Sequence, residues 1–249
     1  MKNAELWSPS KYVKRNAALR ASRCVKDVAI SSRLITDLVA NCYDTGLREH
    51  CQGDLLDLGC GKAPLYILYR EFAKNITCVD WANSPHDLGH ADVLCDLNEP
   101  IPLPDASFDT IILSDVLEHL YRPQLVLQEA ARLLRPGGKL ILNVPFLYWL
   151  HEKPYDFFRY TRFALSRMAD DNDLEVVELT ELGGAFEVLA DLLAKMTSQI
   201  KIVGRPIASS IQSCCLWFRR TRLGFRLSTS TAKQIPLGYF LVARTRKTA

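Results

Sequence analysis

Apolar residues fall along this chain in short dense runs, separated by stretches in which they recur at helical spacing. Leu55, Leu56 and Leu58 form the first run. Ile76 to Val79, Ala91 to Leu97, Phe108 to Ser114, Lys139 to Val144, Leu174 to Leu179 and Leu237 to Ala243 follow. Runs of this length and β-branched content predict strands, several of them covered on both faces. Between them the spacing predicts a helix over Ala63–Lys74 and another from Asp115 to Leu134, stopped by Arg135-Pro136-Gly137-Gly138. A third helix spans Arg162–Ala169 behind a Thr161 cap, and a fourth runs from Gly183-Gly184 to about Lys195. Strands regularly separated by helices imply right-handed crossovers, hence an α/β fold with a doubly wound, mostly parallel sheet. Ahead of the first strand, Leu19, Val25, Val28, Ile30, Leu34, Ile35, Leu38 and Val39 suggest one or two helices. Residues 1–50 therefore read as a helical cover, with Trp7 to Tyr12 either structural or folded over a ligand crevice as a lid. The main domain occupies residues 51–249.

Composition changes this picture little, but charge changes it more. The 249 residues are 48% hydrophobic and 24% charged, enough for one large core and against wholesale disorder. The net charge of +3 hides an asymmetry: residues 51–194 hold 23 acidic against 11 basic side chains, whereas residues 195–249 hold 11 basic and no acidic ones. An acidic main domain argues against a nucleic-acid platform. The eight cysteines show no CxxC pair or metal-ligand spacing, which suits a reduced chain. Neither a leader peptide nor a run of about 18 apolar residues is visible, so a cytoplasmic location is expected. Residues 198–232 form a basic insertion before the last strand. Ile207, Ile211, Cys214, Leu216, Trp217 and Phe218 lie there beside Arg219, Arg220, Arg222 and Arg226. That composition suits an interfacial helix on an anionic membrane, placing the chain peripherally on the inner membrane face. The competing readings are an insertion with solvated arginines and a site for an acidic acceptor.

Candidate chemistry centres on Asp54-Leu55-Leu56-Asp57-Leu58-Gly59-Cys60-Gly61. A carboxylate at the end of a buried strand is costly unless paired, and Asp57 stands there. Gly59 and Gly61 permit close approach, and Pro64 suits a first helical turn. Asp80 ends the second strand 19 residues past Gly61, where nucleotide-binding βαβ units place a ribose-binding acid. Trp81 offers a flat face for a purine. A dinucleotide is disfavoured because Lys62-Ala63-Pro64 lacks the third glycine of that fingerprint and Asp57 serves a pyrophosphate poorly.

LLDLGCG at 55–61, Cys78-Val79-Asp80, Asp96-Leu97, FDTIILSDVLEHL at 108–120 and RLLRPGGKLILNV at 132–144 occur in an order that resembles class I S-adenosylmethionine-dependent methyltransferases. The likeness covers about residues 51–180, and Leu237 to Ala243 resembles the family's last, antiparallel strand. It implies a seven-stranded Rossmann-like sheet and S-adenosylmethionine as cofactor. Asp57 with Gly59, Cys60 and Gly61 would cradle the methionine end, Asp80 and Trp81 the ribose and purine, Asp96 and Leu97 the adenine edge. Ser114 would flank the methyl-donor sulfur.

The acceptor side lies in His151-Glu152-Lys153-Pro154-Tyr155-Asp156-Phe157-Phe158-Arg159-Tyr160-Thr161. This stretch resembles methyltransferases of bacterial cell-surface polysaccharide and related secondary pathways. His151 and Asp156 are expected to contact the acceptor or take its proton, Arg159 and Tyr160 to orient it, and His119 to serve as a further base. An Asp156–Arg159 pair that merely stiffens the loop is the alternative. Asp115, Glu118, His119 and His151 offer metal-ligand chemistry. The relatives that use such a set on RNA ends or quinone precursors carry Glu at the position of Asp115, and the reading assigns no metal. The expectation is methyl transfer to a small or carrier- or lipid-linked acceptor, at oxygen. The alternatives are a scaffold that binds the cofactor without turnover and a metal-assisted methyltransferase of RNA or quinone precursors; the oligomeric state is left open.

Overall fold

The computed structural model describes residues 1–86 and 88–246. It begins with a hairpin, β1 (Tyr12–Arg15) and β2 (Ala18–Ala21), followed by helix α1 (Arg33–His50). The repeating units are β3 (Gly53–Leu58), the short α2 (Tyr66–Tyr69), β4 (Ala73–Asp80), β5 (Val93–Leu94), β6 (Phe108–Ser114), α3 (Pro123–Leu133) and β7 (Leu134–Pro145). Then come α4 (Arg162–Asp170), β8 (Leu174–Leu182), α5 (Ala185–Ser198), α6 (Gly204–Arg219), α7 (Arg222–Ala232) and β9 (Gly238–Thr245). The sheet order is β5-β4-β3-β6-β7-β9-β8, with β9 antiparallel to both its neighbours. The seven-stranded, mostly parallel, doubly wound sheet matches the expectation.

Side chains alternate across this sheet, and each face has its own core. Leu56, Leu58, Ile111, Leu113, Leu140, Leu142 and Leu241 pack with Val126, Leu127 and Ala130 of α3 and Leu165 of α4. The alternate positions Leu55, Ile112 and Ile141, with Phe240 and Val242, face α1 through Val39, Tyr43 and Leu47. Tyr12 and Leu19 of the hairpin, both fully buried, extend that second core. Burial on both faces explains the continuous apolar runs.

Four expectations need correction. Residues 12–21 form a hairpin, not part of a helical cover. Asn16 and Ala17 turn it with φ of 51° and 63°, the left-handed pair that matches strand twist. The Asn-Ala sequence hides this turn, because Ala lacks glycine's freedom, and Leu19 and Ala21 alternate inward over too few residues to reveal a period of two. The helix expected from residue 63 has four residues only, since β4 already starts at Ala73. The helix expected from Asp115 begins at Pro123, after a single tight turn at Leu117–His119. The third strand shrinks to two residues at the sheet edge. Thr161 caps α4 as expected, accepting a hydrogen bond from Ala164 N at 3.2 Å.

Helix α5 is inside out. Glu187, Asp191 and Lys195 are buried beside the smaller Val188, Ala190 and Ala194, whereas Leu189, Leu192, Leu193 and Met196 face outward. Asp191 and Lys195 pair in the interior, and the Lys195 ammonium lies 4.0 Å from the Tyr148 ring centre. Helices α6 and α7 occupy the span of the basic insertion and pack against α5.

Gly46 lets α1 approach β9: a Cβ there would stand 2.6 Å from Phe240 Cζ. Gly46→Ala favours the helix by about 1 kcal/mol on propensity alone. Overpacking against a buried ring should reverse that sign, giving a net loss of about 1–3 kcal/mol in denaturant unfolding. A raised unfolding midpoint would refute this account of the α1–β9 contact.

Candidate active site

The carboxyl ends of β3, β4 and β6 open into one crevice, and the turn after β3 shapes its floor. Gly59 N and Cys60 N donate to Val79 O at 2.8 and 3.1 Å, and Gly61 N donates to Asp80 Oδ2 at 2.5 Å. Trp81 N donates to the other oxygen, Oδ1, at 2.7 Å. The glycines therefore act through shape. Gly59 has φ of 72°, and a Cβ on it would meet Val116 Cγ2 at 2.4 Å; Gly61, at φ of 50°, faces the His86 ring. Cys60 is buried with Cys78 and Ala91.

Asp57 is 4% exposed and accepts a hydrogen bond from Tyr69 Oη at 2.9 Å. Burial pushes its carboxyl up to about 7; the Tyr69 hydrogen bond opposes that shift and the nearby Asp80 carboxylate adds to it. Asp96 accepts from Asn98 N and Nδ2 at 2.9 and 2.8 Å, a local turn that holds the loop after β5, and Leu97 is buried behind it.

Ser114 belongs to a polar network at the end of β6. Its hydroxyl and that of Tyr43 both donate to Asn143 Oδ1 at 2.9 Å. Asn143 Nδ2 donates to Asp115 Oδ1 at 2.5 Å, and Lys11 Nζ reaches Asp115 Oδ2 at 2.5 Å. Burial works against the Lys11 charge, but Asp115 outweighs it and raises the ammonium pKa. The N-terminal segment also lies along the cradle, because Trp7 Nε1 donates to Ala63 O at 3.0 Å. This contact fits either of the two expected roles of the segment, a structural cover or a lid.

The stretch 151–160 closes the other side. Phe157 N and Phe158 N donate to Glu118 O at 2.9 and 3.3 Å, and Tyr160 Oη donates to Leu117 O at 2.9 Å. Arg159 forms a fork on Asp156, with Nη2 to Oδ2 at 2.8 Å, and donates through the same Nη2 to Trp149 O at 3.1 Å. Asp156 Oδ2 also accepts from His151 N at 2.8 Å. Although burial opposes it, Arg159 holds the Asp156 carboxyl well below its ordinary range. Asp156, Arg159 and Tyr160 therefore brace the loop, with their polar atoms engaged in the fold. His151 and His119 do converge: each presents Nε2 to Glu118 Oε1 at 3.7 Å, and their ring centres are 4.8 Å apart. Burial pushes the Glu118 carboxyl up. Burial works against a charged His151, but Glu118, Asp156 and Asp115 prevail and raise its pKa. Glu152 lies 3.6 Å from His86 Nε2 and 3.9 Å from His119 Nε2, linking this cluster to the Gly61 turn. Trp81 meets Tyr155 edge-on, at 5.2 Å between ring centres.

Residues 56–142, from the heart of β3 to the end of the β7 apolar run, match the family model described as a methyltransferase domain. This stretch of the chain is thus similar to methyltransferase domains. A protein of Mycolicibacterium smegmatis named as a probable S-adenosylmethionine-dependent methyltransferase is 29% identical over 153 residues, 57% of this chain and 55% of that protein. A malonyl-[acyl-carrier protein] O-methyltransferase of Serratia marcescens is 33% identical over 101 residues, 38% and 39% of the two chains. The chain thus spans between about two-fifths and just over half of these relatives. Two solved structures share the fold across nearly the whole chain. The [4+2]-cyclase SpnF has a TM-score of 0.55 at 18% identity, covering 96% of this chain and 87% of its own. Geranyl diphosphate C-methyltransferase from Streptomyces coelicolor has 0.54 at 15%, covering 98% and 95%.

The crevice fits S-adenosylmethionine, the cofactor that the resemblance implies. A buried carboxylate without a cationic partner suits an ammonium, and glycine positions that a Cβ would fill suit a close-lying ligand. Sequence reasoning missed Tyr69, Lys11, Tyr43 and Asn143. Each reaches the crevice from an element distant in sequence, and none carries a local signature.

If Asp57 holds the cofactor ammonium as expected, protonating it would remove the charge that does so. Its raised pKa therefore predicts that cofactor affinity is highest above pH 7 and falls as pH drops through about 7. Calorimetric titration should show a loss approaching about tenfold per pH unit below that point. Asp57→Asn should bind weakly at every pH; a pH-independent affinity in the unsubstituted chain would contradict the assignment.

Proposed function

We propose that this methyltransferase moves the methyl group of S-adenosylmethionine to a hydroxyl oxygen of a small or carrier- or lipid-linked acceptor. The observation that carries this reading is the convergence of Glu118, His119 and His151 beside the cofactor crevice, at 3.7 Å between Glu118 Oε1 and each Nε2. The bound cofactor supplies an electrophilic methyl on a positively charged sulfur. As the new O–C bond forms, the C–S electron pair returns to sulfur and the hydroxyl proton must leave. The chain's residues then have two tasks: aligning the acceptor oxygen and accommodating that proton.

Asp57, Gly59, Cys60 and Gly61 would hold the methionine end and Asp80 with Trp81 the ribose and purine. Asp96 and Leu97 would hold the adenine edge, and Ser114 would lie by the sulfur. His151 and His119 would face the acceptor, while Asp156, Arg159 and Tyr160 act as positioning residues. O-methylation is supported by the chemistry of the Glu118–His119–His151 cluster, and a carrier-linked acceptor by the malonyl-[acyl-carrier protein] relative.

The acceptor's setting is suggested by the outer surface. The exposed leucines of α5 adjoin Ile202, Ile207, Trp217, Leu223 and Phe225, which are 40 to 96% exposed. Arg205, Arg220, Arg222 and Arg226 are exposed on the same two helices, α6 and α7. Apolar side chains ringed by arginine, without acid, suit the headgroup region of an anionic bilayer. Among the described residues no helix is long and apolar enough to cross a membrane, which fits a peripheral attachment at the inner face.

Labelled cofactor incubated with cell extract should yield a labelled small or lipid-extractable product; cofactor binding without any product would favour a scaffold. His151→Ala should lower turnover by about tenfold or more with cofactor affinity intact, and unchanged turnover would dismiss its role. Sedimentation with vesicles containing phosphatidylglycerol should remove the protein from solution, and neutral vesicles should not. The combined substitution Arg220→Glu, Arg222→Glu and Arg226→Glu should abolish sedimentation, and equal binding would sink the membrane reading.

A further inference from the structure

Glu118 is fully buried, and neither of its carboxylate oxygens accepts a hydrogen bond. Leaving such a group without a partner costs several kcal/mol unless a cation or proton is supplied. The groups nearest it are imidazole nitrogens: His119 Nε2 and His151 Nε2, each 3.7 Å from Oε1. One ligand atom from each of the three residues lies within 4.8 Å of the others.

What stands behind the two rings decides how they face Glu118. His119 Nδ1 is 2.8 Å from Tyr155 O, and a carbonyl only accepts, so Nδ1 carries the proton. In the neutral ring the lone pair then sits on Nε2, aimed at the carboxylate. His151 Nδ1 lies 3.3 Å from Asp156 Oδ2, itself held by Arg159, but makes no hydrogen bond there, so the contact leaves the His151 tautomer open. With both rings neutral and His151 in the same tautomer, two lone pairs and a buried carboxylate would point at one another, and an oxygen near the far nitrogen of each imidazole is an arrangement that orients metal-binding histidines. With bonds of about 2.0–2.2 Å, adjacent ligands in a tetrahedral site lie roughly 3.4 Å apart, so the two 3.7 Å separations from Glu118 need a small contraction and the ring nitrogens, with all three atoms within 4.8 Å, must also close on the ion.

We propose that Glu118 Oε1, His119 Nε2 and His151 Nε2 bind a divalent first-row transition cation, although the sequence reading assigned no metal. Two imidazoles and one carboxylate suit Zn(II), Mn(II), Fe(II), Co(II) or Ni(II) rather than Mg(II) or Ca(II), which favour all-oxygen sets. Glu152, 3.9 Å from His119 Nε2, stands close enough to supply a fourth ligand on a small shift, and the other positions stay open. This proposal deepens the proposed function: a cation there would bind the acceptor's hydroxyl oxygen and ease loss of its proton. The hydroxyl proton leaves to solvent and no redox change is involved.

The test uses untagged full-length protein treated with chelator and then titrated with Zn(II) by calorimetry and with Co(II) by visible spectroscopy. One saturable site per chain is expected, with micromolar or tighter affinity and d–d bands of a four- or five-coordinate Co(II) centre. Glu118→Gln and His151→Gln should each weaken binding by about tenfold or more. His119→Gln, at a partly exposed side chain, serves if the buried Glu118 variant fails to fold. Cofactor binding measured on the same samples reports an intact crevice. Absence of saturable metal binding, or binding unaltered by all three substitutions, would overturn the site. Cofactor binding and methyl transfer surviving such a result would leave the methyltransferase reading standing. Saturable metal binding without methyl transfer would sink that reading instead.

Discussion

A parallel sheet covered on both faces leaves its carboxyl edge as the place where polar groups can gather, and this chain uses that edge heavily. Asp57, Asp80 and Glu118 are all 5% exposed or less. Asp80 meets its cost with the N–H groups of Gly61 and Trp81, and Asp57 does so partly with Tyr69. Glu118 has no such donor. The edge is therefore a line of carboxylates whose remaining demand is for positive charge. An ammonium, the neighbourhood of a sulfonium and a metal cation are different answers to that one demand.

The same edge is held in register by Asn143. One amide joins Tyr43 from α1, Ser114 from β6 and Asp115 beyond it, and Asp115 fastens Lys11 of the N-terminal segment. Asp115 takes the left-handed conformation, φ 52°, to reach both partners. Through this network the N-terminal segment is coupled to the strand end that would flank the reacting sulfur. Movement of residues 7–12 over the crevice would have to break the Lys11–Asp115 pair.

Helix α5 shows a different resolution of polarity. Its charged residues are paired inside, Glu187 with Gly184 N and Arg219 and Asp191 with Lys195, although one oxygen of each carboxylate accepts no hydrogen bond, and its leucines lie outside. Exposed apolar surface on such a scale usually marks a partner. A partner there would also meet the acid-free helices α6 and α7, whose positive charge suits a negative surface.

The sequence by itself determined the sheet, its wrapping and the cofactor edge, because these depend on local signals. Runs such as Phe108 to Ser114 report burial on both faces, and Gly59, Gly61 and Asp80 sit at fixed spacing around one turn. The hairpin at 12–21 escaped because its turn is Asn-Ala and its strands are four residues long. The inward stripe of α5 escaped because periodicity reports amphipathicity without saying which face turns to the core. The tertiary structure alone decided the acceptor side. His151 is 32 positions beyond His119, and only the folded loop brings both rings onto one buried carboxylate. It also showed Asp156, Arg159 and Tyr160 to be bracing that loop, since their hydrogen-bond partners are backbone groups and one another. Contacts of this kind are fixed by chain closure across the sheet edge, and residue type and spacing do not encode it.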